Sequence, residues 1–305
     1  MIGTRIALGN LPLRRAVRTA VPLLCAVLLG GCADVFFATV GAVGPARGVV
    51  RQTGIEFDPA DGLSLDAYAP KAAVGAPVIV FLYGGSWEEG KRRWYRYVGD
   101  ALASNGVAVV IPDYRKFPQV RFPAFVVDAA RAVAWARAHA RDFGGDSSRL
   151  FVMGHSAGGQ IAALLSTDPR YLAAVGLSPR DLAGMIGLAG AYAFLPFVDD
   201  EAQIFGDDAR GRHDSQPVNF VDGDEPPLLL LQGEADDEVA PDNATTLAAR
   251  ARAAGDTVTL KLYPDVGHAS ILLALARGHV SHVPTLRDVL DFVTRTPAAP
   301  AARGE

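Results

Sequence analysis

Ser156 stands at the centre of Gly154-His155-Ser156-Ala157-Gly158. Glycines on either side permit a turn too tight for side chains, so the serine hydroxyl can stand clear of the chain. The apolar Leu150–Met153 before it reads as a strand and Gln160–Leu165 after it as a helix. A strand-turn-helix of this kind sets Ser156 Oγ at a helix N-terminus, where negative charge is favoured. A serine becomes a nucleophile only when a base takes its proton. Of six histidines, His268 is the expected base, because Tyr263-Pro264-Asp265-Val266-Gly267-His268 follows the strand-like Val258–Leu262. His279 and His282 are the alternatives. The base needs an acid to orient it. Leu228–Leu231 runs into Gln232-Gly233-Glu234-Ala235-Asp236-Asp237-Glu238, otherwise readable as a solvated acidic loop. Asp236 is the expected partner and Asp237 the alternative. Donors for an oxyanion are expected from the N–H groups of Gly85 and Ser86 in Tyr83-Gly84-Gly85-Ser86-Trp87, and from that of Ala157. Trp87 and His155 either line a substrate pocket or pack. The chemistry is acyl transfer through a covalent serine intermediate, for which no metal and no organic cofactor is expected.

Such residues need a sheet beneath them. Pro77–Tyr83, Val107–Ile111, Leu150–Met153, Met185–Ala189, Leu228–Leu231 and Val258–Leu262 read as strands, several apolar throughout, as strands covered on both faces are. Helix-like segments alternate with them. In Pro123–Arg141, Val127, Ala130, Val133, Ala134 and Ala138 share one face, and Gly144-Gly145-Asp146 ends the run. The alternation predicts one three-layer α/β domain over residues 51–295, a mainly parallel sheet with helices on both faces. Residues 190–227, with Tyr192, Phe194, Phe197, Phe205 and Phe220, predict a small cap.

The 305 residues are 50% apolar and 20% charged, with a net charge of -4. This is globular composition, with no basic excess to point to nucleic acid. Residues 1–31 carry Arg5, Arg14, Arg15 and Arg18 and no acid, and their uncharged apolar stretch is too short to span a bilayer. They read as an export signal peptide. The stretch closes on Leu29-Gly30-Gly31-Cys32, which resembles the lipobox of bacterial lipoproteins and implies cleavage before a lipidated Cys32. Ala33 then favours the periplasmic face of the outer membrane. Residues 32–50 read as a tether and 296–305 as a disordered tail.

The ordered set Gly84-Gly85-x-Trp87, Asp113-Tyr114-Arg115, Gly154–Gly158, Gly233-x-x-Asp236 and Gly267-His268 resembles the α/β-hydrolase carboxylesterases. Within them it is most similar to the group around hormone-sensitive lipase, the BD-FAE-like proteins and prenylcysteine methylesterase, over about residues 60–295. The resemblance implies that fold, hydrolysis of small-molecule esters by Ser156, Asp236 and His268, and support of the oxyanion loop by Asp113-Tyr114-Arg115; a serine peptidase or amidase of the same fold and a non-catalytic binding protein on it are the alternatives. One departure is Tyr83, where the family has histidine.

Overall fold

A computed structural model describes residues 47–198, 200–276 and 282–300. Residues 1–46, with the expected signal peptide and Cys32, lie outside the described residues, as does His279. Eight strands are β1 (Val49–Asp58), β2 (Leu63–Pro70), β3 (Ala76–Leu82), β4 (Ala108–Pro112), β5 (Gly145–His155), β6 (Gly184–Leu188), β7 (Leu228–Gly233) and β8 (Val258–Tyr263). They form one sheet in the order β1-β2-β4-β3-β5-β6-β7-β8. β1 and β2 pair antiparallel, as do β2 and β4; from β4 onward the sheet is parallel. Every residue of β4, β6 and β7 is buried. Successive strand side chains point to opposite faces, so helices must cover both. The longer helices are α1 (Arg96–Ala103), α2 (Ala124–His139), α3 (Ala157–Thr167), α4 (Asp242–Ala254) and α5 (Thr285–Arg295).

The six expected strands are present within one or two residues, except that β5 begins earlier and runs to His155. β1 and β2 were not expected as strands, and β1 takes in Val49 and Val50 from the segment read as a tether. β1 is half-exposed and its register shifts between Gln52 and Ile55, where Gly54 has φ 71°. The Gly54 N–H leaves the ladder for Asp66 Oδ1 at 2.9 Å. At the other end, residues 296–300 are not a free tail. Thr296 Oγ1 donates to the Phe292 carbonyl and the Ala299 N–H to that of Ser148, each at 2.7 Å.

The strand order reverses about β3, which lies between β4 and β5. In open α/β sheets the crevice beyond the carboxyl ends of strands at such a reversal is where ligands bind. The chain leaves β3 into Tyr83–Trp87 and β5 into Ser156. Residues 190–227, between β6 and β7, hold the short helices Glu201–Phe205 and Ala209–Asp214.

Candidate active site

Ser156 has φ 56° and ψ −124°, a backbone conformation that costs a non-glycine residue about 1–3 kcal/mol. Its surroundings enforce the turn. A Cβ at Gly154 would lie 2.0 Å from the Gly158 carbonyl oxygen, and one at Gly158 2.1 Å from that of Leu82. From Leu150 to Asp168 every residue but Ser156 is buried. Its hydroxyl is in no hydrogen bond among the described residues, while its N–H is fixed to the Leu188 carbonyl at 3.0 Å.

The loop after β3 approaches from the side. A Cβ at Gly84 would sit 2.9 Å from Ser156 Cβ. Gly85, Ser86 and Trp87 follow with φ of 125°, 51° and 60°, and the Gly85 carbonyl accepts from the N–H groups of Glu88 and Glu89. None of the hydrogen bonds among the described residues uses the N–H of Gly85, Ser86 or Ala157. Three strong donors are therefore available for a developing oxyanion.

Tyr83 braces this loop. Its ring stacks on Tyr95 at 5.2 Å and on Tyr114 at 4.7 Å. Burial, with Tyr114 and Asp113 adding, pushes its pKa well above the ordinary value. The hydroxyl therefore keeps its proton, donates to Asp113 Oδ1 at 3.0 Å and accepts from Lys116 Nζ at 3.2 Å. Tyr114 Oη donates to the Tyr83 carbonyl at 2.7 Å, and Arg92 holds Asp113 from the far side. Of Asp113-Tyr114-Arg115, the first two thus touch the loop. Arg115 turns away, its guanidinium on Asp128 at 2.7 and 2.9 Å and on Asp61 at 2.7 Å.

Asp236 and His268 meet because two loops are joined. The Glu234 N–H donates to the Tyr263 carbonyl at 2.9 Å and that of Ala235 to Val266 at 3.1 Å. A Cβ at Gly233 would lie 2.0 Å from the Val266 oxygen, so this approach requires glycine. Nδ1 of His268 lies 2.9 Å from Asp236 Oδ2. Oδ1 of Asp236 accepts the N–H groups of Val239 at 2.8 Å and Glu238 at 3.1 Å. Burial works to raise the Asp236 pKa; the bond from His268 and those backbone donors outweigh it, so it lies below the usual carboxylate value. An ionised carboxylate only accepts, so Nδ1 carries the proton and Nε2 is left as the acceptor. Nε2 lies 3.8 Å from the exposed Glu238 carboxylate. Asp237 is exposed. Of the remaining histidines, His139 stacks on Trp135, His213 pairs with Asp214, and His282 is exposed.

His155 joins the two halves. Its ring lies 4.7 Å from that of His268, and Nε2 reaches the His268 carbonyl at 3.1 Å. Burial, aided by His268, lowers its pKa to about 3, so it is neutral with the proton on Nε2. Its polar edge is turned to the backbone of His268 rather than to open space. Trp87 is 5% exposed, packs against Phe205 at 4.8 Å and Phe194 at 5.6 Å, and spends its N–H on Gln160 Oε1 at 3.1 Å. Gln160 Nε2 in turn donates to the Ser215 carbonyl at 2.9 Å. One buried glutamine, unremarked in the sequence, thus pins the 190–227 segment and the Tyr83–Trp87 loop to the helix behind Ser156. Among the described residues no three His, Cys, Asp or Glu side chains are grouped to hold a metal ion.

This architecture has counterparts of known structure. Esterase B from Lactobacillus Rhamnosis (HN001) superposes with a TM-score of 0.73 at 20% identity, covering 91% of this chain and 95% of that one. A truncated carbohydrate esterase from gut microbiota gives 0.72 at 22% identity, over 83% and 99%. The chain has the α/β-hydrolase fold. Residues 65–172 of this chain match the BD-FAE family, a span that includes the Tyr83–Trp87 loop and the turn at Ser156. Esterase LipC of Mycobacterium tuberculosis is 32% identical over 249 residues, 75% of this chain and 62% of its own length. Isoprenylcysteine alpha-carbonyl methylesterase ICME of Arabidopsis thaliana is 29% identical over 237 residues, 68% and 54% respectively. The chain spans between half and two thirds of the length of these two curated relatives.

Proposed function

We propose that the protein is a serine carboxylesterase acting on small-molecule esters. The observation that carries this reading is the buried Asp236–His268 couple at the same end of the sheet as Ser156, the one uncovered residue between Leu150 and Asp168. Ser156 Oγ attacks the ester carbonyl while His268 Nε2 takes its proton. The N–H groups of Gly85, Ser86 and Ala157 receive the oxyanion. His268 then gives the proton to the leaving alcohol, and the same nitrogen activates water to release the acid from the acyl-enzyme. The names of the relatives, all esterases, support the reaction class.

The test is Ser156→Ala assayed on p-nitrophenyl esters of graded chain length, on aryl esters and on acetylated sugars. Loss of a triad member costs about 10⁴–10⁶ in turnover. A fluorophosphonate should label Ser156 in the wild type. Turnover retained in pure Ser156→Ala protein, or label on another residue, overturns the mechanism; peptides or amides cleaved in preference to every ester make it a peptidase or amidase instead.

We further propose that the protein is exported and anchored in the membrane through lipidated Cys32, on the periplasmic face of the outer membrane. Support comes from Leu29-Gly30-Gly31-Cys32 and Ala33.

A further inference from the structure

Gln232 is the penultimate residue of β7, fully buried and directly behind Asp236. Its Nε2 faces three oxygens: Asp236 Oδ2 at 2.9 Å, the Val239 carbonyl at 3.1 Å and the Gly233 carbonyl at 3.3 Å. Rotating the amide would set Oε1 against all three, oxygen on oxygen, so chemistry fixes its orientation. Oε1 has no hydrogen-bond partner among the described residues and is inaccessible. A buried acceptor left unpaired costs about 1–3 kcal/mol. The amide is kept although its oxygen is left unpaired, and its nitrogen puts an N–H on the same carboxylate oxygen that receives His268 Nδ1.

With Gln232 in place, Asp236 has a donor for every direction in which it could turn. Oδ1 is held by two backbone N–H groups, and Oδ2 is shared between Gln232 and His268. The carboxylate plane is then fixed by three donors before His268 is counted. We infer that Gln232 is a positioning residue for the charge relay: through its Nε2 it sets the direction of Asp236 Oδ2 towards His268, and so the orientation of the base. This rests on the serine hydrolase reading and adds to it a residue that touches no substrate. No motif points to Gln232, and its position at the end of an apolar strand gives no sign of the role.

The experiment is a double-mutant cycle on the full chain, with Gln232→Met and Asp236→Asn singly and together. Gln232→Met keeps length and volume and removes the donor. It should lower kcat about 10²-fold, the cost of a displacement near 1 Å in a catalytic group, with KM unchanged. In the Asp236→Asn background the same substitution should change kcat less than twofold, because its effect passes through the lost carboxylate. An equal loss in both backgrounds, or none in the first, overturns the inference. If Gln232→Met melts well below wild type, Gln232→Asn, whose amide falls one methylene short, takes its place in the cycle. A readout independent of turnover is the downfield NMR resonance of the His268 Nδ1 proton. It should shift or broaden in the variant, and an unchanged resonance counts against the positioning role even if the wild type hydrolyses no ester. An ester-inactive wild type with a shifted resonance would instead retire the proposed reaction and leave the Gln232–Asp236–His268 coupling standing.

Discussion

Asp236 is buried and lies 2.9 Å from His268, whereas Asp237, the next residue, is exposed. One peptide unit separates an oriented carboxylate from a solvated one. Asp236→Asn should lose about 10⁴ in kcat, since a neutral amide neither fixes the tautomer of the imidazole nor stabilises its cation. Asp237→Asn should stay within twofold of wild type. Steady-state kinetics on one ester compares them, and the reverse ranking would move the acid by one residue.

His155 gives the protein an acid-sensitive fold. Its folded pKa, about 3, is far below its ordinary 6.5. Below pH 6.5 the unfolded chain takes up a proton that the folded chain refuses, so stability falls as pH falls from 6.5 towards 3. The loss approaches about 1.4 kcal/mol per pH unit. His155→Gln removes the titration and keeps an N–H for the His268 carbonyl. Its melting temperature should decline less steeply than that of wild type between pH 6.5 and pH 4, and parallel curves would contradict the neutral buried imidazole.

Gly84→Ala should damage turnover more than stability. The new methyl group meets Ser156 Cβ at 2.9 Å and the His155 carbonyl at 3.0 Å, within the reacting group itself. A fall of about 10² in kcat/KM is expected with a change of only a few degrees in Tm. A variant that unfolds, or one that keeps full activity, would show that the loop does not sit as described.

Tyr83→Phe tests the brace. It deletes the hydroxyl between Asp113 and Lys116 and leaves the stacking on Tyr95 and Tyr114 intact. Loss of about 1–2 kcal/mol in stability is expected from the unmade bonds. If the hydroxyl also holds the oxyanion loop, kcat falls about tenfold while KM holds. Denaturant unfolding alongside kinetics separates the two effects.

Cys32→Ser should leave an unprocessed or mislocalised precursor. Acyl chains contribute about 0.8 kcal/mol per buried CH₂, and two or more hold a protein stably on a bilayer. Wild type should therefore resist a high-salt wash that screens charge alone. Fractionation and N-terminal mass analysis decide it: a wholly soluble protein beginning elsewhere than Cys32 makes the signal an ordinary secretory one.

Much of this was legible in the chain because parallel strands covered on both faces must be apolar at consecutive positions. Leu228–Leu231 and Val107–Ile111 are short apolar runs of this kind. β1 escaped because it is half-exposed and interrupted at Gly54, so neither an apolar run nor clean alternation survives. β2 escaped because it carries Asp66, a buried acid whose partners, Arg92 and the Gly54 N–H, are distant in sequence. The serine elbow was readable since its glycines answer to local sterics. The bracing of the site was not, because Gln160, Gln232 and His155 act through contacts that only the assembled sheet creates.

The joining of the Gly233–Ala235 loop to Tyr263–Val266 also bears on the timing of biosynthesis. Ser156 and the Tyr83–Trp87 loop follow strands made early, whereas His268 cannot be oriented until β8 has paired with β7. A nascent chain that has just passed residue 172 holds an elbow serine with nothing to take its proton. On the proposed reading, hydrolysis waits until the last parallel strand has docked, and an incomplete translation product lacks the oriented base.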